Sequence, residues 1–149
     1  MRLTAEIMRA HWDSLAERTA MGTLGIELVH IDEETLILGL EVGPKVHQPM
    51  GLLHGGVSAL LAETAASMHA ALGTDPRERL PVGIDLHASH LRSTSSGRVL
   101  ARAKVLRKAR SLVVHDVEII QEESGALLSV VRVTNLMKVL PTEGGAAPE

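Results

Sequence analysis

Between Gln48 and Ser67 the chain reads QPMGLLHGGVSALLAETAAS, and few of these residues can do chemistry. His54, Gly55 and Gly56 form a corner that opens a helical segment. From Val57 to Leu72 this segment is almost wholly apolar or small, and Glu63 is its only carboxylate. A charge in a helix that reads as buried on most sides is costly unless it is paired or used. A Gly-Gly corner at a helix start exposes backbone N–H groups, and the helix dipole favours negative charge there. An electropositive helix tip and one carboxylate suit acyl transfer. Gly55 N–H is the best candidate donor to a carbonyl oxygen that gains negative charge, and the Gln48 amide can orient or polarise the same carbonyl. Glu63 is then the nucleophile, or the general base that activates water. Ser67, four residues on, shares a helix face with Glu63 and is placed to hold that water; Thr64 lies close to the same face. His54 either anchors the loop or transfers protons. Structural readings stand beside these. Glu63 can pair with a buried Arg across a subunit interface, Gly55-Gly56 can permit close helix–sheet packing, and Ser67 can simply pack the helix.

Spacing adds a constraint. Gly55 and Glu63 are separated by roughly 12 Å along a helix rising about 1.5 Å per residue. One carbonyl cannot lie about 3 Å from both. If both groups act on the same bond, they come from different subunits, which predicts an obligate dimer with two shared sites.

Composition narrows the alternatives. The chain has 149 residues, one domain's worth, and 45% hydrophobic residues, enough for a core. It has no Phe or Tyr and a single Trp, Trp12, so the core must be Leu, Val, Ile, Ala and Met. Bases cannot stack on absent aromatics, and a net charge of -3 does not favour a polyanion, so no nucleic-acid partner is expected. Without cysteine there is no thiol catalysis, disulfide or Cys-based zinc site. The charged N-terminus does not read as a signal peptide, and no apolar run is long enough to span a membrane. A soluble cytoplasmic protein is the expectation. His87 and His90, three apart in a strand, point to opposite faces, so no metal site is expected. There is no Gly-x-Ser-x-Gly elbow, Gly-x-Gly-x-x-Gly loop or Walker-type loop.

The elements that must position these groups follow from periodicity and turn residues. Residues 4–20 read as an amphipathic helix with Thr4 as its cap and Met21-Gly22 as its end. Leu24 to Ile31 and Thr35 to Val42 read as hairpin strands about the Asp32-Glu33-Glu34 turn. Residues 43–53 form a loop, the long helix covers 56–72, and Gly73 closes it. After a polar loop from Thr74 to Pro81 come four strands: Val82–Leu91, Arg98–Lys108, Leu112–Gln121 and Leu127–Met137. Only the long helix is apolar enough to be covered on most sides. The economical arrangement is an α+β fold in which a curved antiparallel sheet wraps that helix. Residues 1–140 form this single domain, and the tail 141–149 reads as disordered.

Gln48-x5-His54-Gly55-Gly56 followed by Leu61-Ala62-Glu63-Thr64 and Ser67 resembles the hotdog-fold acyl-CoA thioesterases. The resemblance is to the branch of the Arthrobacter-type 4-hydroxybenzoyl-CoA, 1,4-dihydroxy-2-naphthoyl-CoA and phenylacetate-pathway thioesterases. It continues through Val82-Gly83-Ile84, His90-Leu91-Arg92-Ser93, Gly97-Arg98-Val99 and Arg110-Ser111. It implies a hotdog fold with a short N-terminal helix and hydrolysis of an acyl-CoA. Coenzyme A is then part of the substrate and no separate cofactor is needed. It also implies a homodimer, usually within a homotetramer. It places Gly83, His90, Leu91, Arg92 and Ser93, and Arg107, Lys108, Ala109, Arg110 and Ser111, where such proteins contact coenzyme A. Arg98, Arg102 and Lys104 add to the basic character of this half, where Arg suits phosphate. The pocket, with Met50, Leu53, Leu60 and Met68 as candidate lining, suits an aromatic or medium-chain acyl group. The rival readings are a 2-enoyl-CoA hydratase, whose Asp/His motif is absent, and a non-catalytic acyl-CoA-binding module.

Overall fold

A computed structural model describes residues 1–141; of the expected disordered tail, all but Pro141 lies outside the described residues. Thr4 caps the first helix, α1 (Ala5–Ala16), by accepting the Ile7 N–H at 3.2 Å. The helix is shorter than expected because Thr19 folds back on it. Both the Thr19 hydroxyl (2.9 Å) and its N–H (3.0 Å) donate to the Ala16 carbonyl. A second helix, α2 (Ala20–Leu24), follows. Met21-Gly22 therefore lies inside a helix rather than ending one. Gly22 is where the two helices touch: a Cβ there would stand 2.4 Å from the Ala16 oxygen. Gly25, at φ 72°, makes the actual stop. Trp12 is buried in the main core, its indole N–H donating to the Ile26 carbonyl at 3.3 Å.

Strands β1 (Glu27–Ile31) and β2 (Thr35–Glu41) form the expected hairpin, with β1 starting three residues later than Leu24 because α2 occupies that stretch. The Asp32 carboxylate closes the turn by accepting the Glu34 and Thr35 N–H groups. The His30 imidazole, then these two N–H groups, hold its pKa down at about 2. The long helix α3 spans Gly55–Ala71, one residue earlier at each end than expected, and Gly73 follows it at φ 81°. Then come β3 (Arg79–His90), β4 (Arg98–Lys108), β5 (Leu112–Gln121) and β6 (Leu127–Val139). The bounds of β4 and β5 are those expected. β6 runs two residues past Met137. β3 begins before Val82 and takes in Pro81, a residue an edge strand tolerates because one side of it has no ladder to complete.

All pairings are antiparallel, in the order β1-β2-β4-β5-β6-β3, so β3 is an edge. The sheet curves around α3, the hotdog arrangement. Alternation decides which side chains meet the helix. Leu36, Leu38 and Leu40 of β2, Val99, Ala101 and Ala103 of β4, and Val131 and Val133 of β6 are buried in one cluster with Leu61, Ala62, Ala65 and Ala66 of α3. Small residues on both surfaces allow close approach without aromatic bulk.

Polar side chains also sit inside. His69 of α3 and His115 of β5 are buried with ring centroids 5.2 Å apart. The Asp32 carbonyl lies 3.0 Å from His69 Nε2 and can only accept, so that nitrogen carries a hydrogen. In the neutral ring Nδ1 is then bare and accepts from His115 Nε2–H at 3.0 Å. His115 Nδ1 is left as a bare acceptor with no partner among the described residues. The chain of donors closes with both rings neutral.

Candidate active site

His54 is the N-cap of α3, and its hydrogen bonds decide which first-turn donor is left over. Its Nδ1 accepts the Gly56 N–H at 2.8 Å, and its carbonyl accepts those of Val57 (2.9 Å) and Ser58 (3.2 Å). Among the described residues, no acceptor takes the Gly55 N–H. Three of the four orphan donors at the helix start are satisfied, and the Gly55 N–H is the one left over.

Gln48 stands in the same cleft, in a turn closed by the Gly51 N–H on the Gln48 carbonyl at 2.9 Å, with Gly51 at φ 78°. Its side-chain oxygen accepts the Met50 N–H. A backbone N–H can bond only the oxygen of the amide, so the NH2 end is the one left to donate. The cleft has a volume of about 200 Å³ and is also lined by His90, Arg92, Ser93 and buried Ser58. His90 lies over the helix start: a Cβ on Gly55 would stand 2.8 Å from its Nε2. Its Nδ1 is 2.8 Å from the hydroxyl of buried Ser129 on β6.

Glu63 is elsewhere. It lines a second cleft of about 350 Å³ with Leu60, Thr64, Ser67 and Met68 of α3 and with Thr19, Ala20 and Met21 from the α1–α2 junction. The expectation of a buried carboxylate is corrected here: in the single chain Glu63 is exposed, because the sheet covers only one side of α3. Its side chain leans on the edge strand, with Oε1 against Gly83. The hydroxyls beside it have already placed their hydrogens. Thr64 donates to the Leu60 carbonyl at 2.8 Å, and Ser67 donates to Asn135 Oδ1 at 2.8 Å. Ser67 thus lines the cleft with its hydroxyl tied to β6. Asn135 is fully buried on β6.

The sequence-derived groups thus fall into two sets. Gln48, His54 and Gly55 gather with His90 to Ser93 at the N-terminal end of α3. Glu63, Thr64, Ser67 and Gly83 gather further along it. Arg107 to Ser111 lie at the other end of the sheet, where Lys108 Nζ donates to the Leu72 carbonyl at 3.0 Å and Arg79 donates to the Arg110 carbonyl at 2.6 Å. Arg79 and His90 terminate the same strand, about 36 Å apart at ~3.3 Å per residue. Arg98 is paired with Glu27 and Glu122, and Arg102 with Glu118, whereas Arg107 and Arg110 have no ion pair among the described residues.

Sequence reasoning did not single out Asn135, Ser129 or the Thr19–Met21 wall. The first two had a legible signal, since each is a polar residue at an inward position of an otherwise apolar alternation in β6. The wall had none, because it depends on where α2 docks. His87 and His90 do lie on opposite faces: His87 lines an outer cleft with Asp116 and Arg132.

The fold, with this helix start and carboxylate, is that of a hotdog thioesterase. The family model of the thioesterase superfamily matches residues 50–127, and the chain belongs to that family. The 1,4-dihydroxy-2-naphthoyl-CoA hydrolase of Listeria monocytogenes is 41% identical over 116 residues, covering 78% of this chain and 93% of that protein. The crystal structure of a thioesterase from Haemophilus influenzae superposes with a TM-score of 0.84 at 33% identity, covering 97% of each chain. That of a mutant thioesterase from Pseudomonas aeruginosa gives 0.84 at 32% identity, covering 89% of this chain and 94% of that one.

Proposed function

We propose that the protein hydrolyses an acyl-CoA, with an aromatic or medium-chain acyl group, to the free acid and coenzyme A. The observation that carries this reading is the unclaimed Gly55 N–H beside the Gln48 NH2. Both residues line one cleft at a helix start, and in the proposed complex both donors serve the thioester oxygen, which gains charge in the transition state. Glu63 supplies the attack, as nucleophile or as the base for a water. In the second case Ser67, which lines the same cleft, is placed to hold the water whose hydrogen goes to Glu63 while its oxygen faces the carbonyl carbon.

Two clefts on one chain become one site when two copies associate. Edge strand β3 exposes Val82 and Ile84, at 41% and 55%, and the open face of α3 lies beside it. Antiparallel pairing of β3 with its copy covers both and brings Gly55 of one protomer to Glu63 of its partner. It also brings Arg107 to Ser111 of one copy toward His90 to Ser93 of the other, so the unpaired Arg107 and Arg110 hold the coenzyme A phosphates. Gly83 adds a backbone contact in this scheme. The resemblance noted above implies a tetramer of two such dimers. The aryl preference rests on the Listeria relative and on a wall of Met21, Leu60 and Met68 with no bulky ring in it.

Free-thiol release from a panel of aryl-, short-, medium- and long-chain acyl-CoAs tests the reading, native protein against Glu63→Gln. The expected result is turnover of an aryl or medium-chain member that falls about 10²- to 10⁴-fold in the variant while the dimer persists. Equal rates in both proteins would take the chemistry away from Glu63. Binding without turnover by the native protein would instead identify a non-catalytic acyl-CoA-binding module, and hydration of crotonyl-CoA a hydratase.

A further inference from the structure

Gly83 lies on β3 where that strand passes Glu63. A Cβ built on Gly83 would stand 2.1 Å from Glu63 Oε1 and 3.2 Å from its Cδ. A side chain at position 83 and the carboxylate cannot both keep these positions, so the carboxylate occupies the space that any other residue would need. The backbone does not ask for glycine here. Gly83 is absent from the positive-φ glycines, among which are Gly25, Gly51 and Gly73, and it sits within an extended strand. Glycine inside a strand weakens it and marks a close approach. What approaches here is the catalytic carboxylate.

The surroundings are built around that approach. The ladder between β3 and β6 changes register between Gly83 and Asp85, a bulge at the point of contact. Gly83 pairs across the ladder with Asn135, whose buried amide accepts the Ser67 hydroxyl at 2.8 Å. One rung of the sheet therefore underlies both members of the pair that handles the water: Gly83 beneath Glu63 and Asn135 behind Ser67.

The geometry points to Gly83 as a positioning residue: its bare Cα seats the Glu63 carboxylate against β3 and sets the direction from which it attacks. The inference rests on the reading of Glu63 as the catalytic carboxylate and goes beyond any contact of Gly83 with coenzyme A. It also separates stability from activity. In Gly83→Ala the methyl conflicts only with the far end of one flexible side chain, so the fold gives way there and nowhere else. Alanine also favours the strand over glycine.

Gly83→Ala is therefore expected to keep the dimer and a melting temperature equal to or above the parent's. Its kcat falls about 10²-fold, the scale of a misplacement of about 1 Å, with KM little changed. A double-mutant cycle links the loss to Glu63. The carboxylate of Glu63→Asp is one methylene shorter and withdraws from the added methyl, so Gly83→Ala costs much less kcat in that background than in the parent. The inference is overturned if Gly83→Ala keeps kcat within twofold of the parent. The same holds if it unfolds or dissociates, if its loss lies in KM, or if its cost is the same beside Glu63→Asp. Glu63→Gln, measured alongside, separates the two failures. A fully active Glu63→Gln removes the catalytic reading and this inference with it. An inactive Glu63→Gln beside a fully active Gly83→Ala removes only the role of Gly83.

Discussion

Gln48 has one side-chain oxygen, and the Met50 N–H takes it. What remains is an amide donor on a residue that lines the same cleft as Gly55. Gln48→Ala removes that donor while leaving the helix cap untouched. It is expected to lower kcat on the order of 10²-fold with little change in thermal stability. Gln48→Glu keeps an oxygen for Met50 but turns the donor into a negative charge beside a developing oxyanion, so it should be slower still. Steady-state thiol release on the best substrate checks both, and a Gln48→Glu variant faster than Gln48→Ala would show that the amide does not face the carbonyl. His54 is a different case. Its ring is committed to the Gly56 N–H, so its first duty is to cap α3. His54→Ala is expected to lose about 1 kcal/mol of stability, seen as a lower urea midpoint.

At the scale of elements, the proposed site needs α3 and β3 together. Gly55 and Glu63 of α3 line separate clefts in one chain, and the proposal joins them through the β3 edge of a second copy. Ile84 is more than half exposed on that edge, and no described residue covers it. Ile84→Asp puts a charge where two strands would pair, and a charge that pairing must bury opposes it. The expected variant is a folded monomer by sedimentation, with native-like circular dichroism and thiol release at background. A monomeric Ile84→Asp that stays fully active would mean that one chain holds a complete site.

At the scale of the whole molecule, the buried imidazole pair makes stability depend on pH. Burial, then the neighbouring His69 imidazole and the Lys108 ammonium, lower the pKa of His115 from 6.5 to about 4. Burial also lowers that of His69, opposed by the Asp32 carbonyl it bonds; Lys108 lowers it further and the Asp32 carboxylate raises it. The unfolded chain therefore takes up protons that the folded chain refuses. The stabilisation is complete above about pH 6.5 and is lost as the pH falls from there towards 4. Asp32, held at about 2, loses its contribution only below pH 4 and does not disturb this window. The urea midpoint should fall between pH 7.5 and 5, and His115→Leu should flatten that slope. A midpoint unchanged over this range would mean that the pair is not held neutral.

The legible parts of this protein are those that neighbouring residues decide among themselves. The Gly-Gly corner, the apolar run after it, the alternation along β4 and β5 and the turns between them are local patterns, and their elements formed with bounds close to those read from spacing. The conflict between Gly55 and Glu63 was also legible, because helical rise is fixed by the backbone. The N-terminal helix was misjudged where Thr19 folds back on the Ala16 carbonyl and a second helix begins. Glu63 was misjudged because apolar neighbours in sequence say nothing about which side of a helix the sheet leaves open. What the tertiary structure alone decided are contacts between residues far apart in the chain: Ser67 with Asn135, 68 positions away, His69 with His115, 46 away, and Glu63 with Gly83. Each depends on strand register and on where α3 lies in the curve of the sheet. Periodicity specifies which face a side chain takes, but only the packed fold specifies what it meets there.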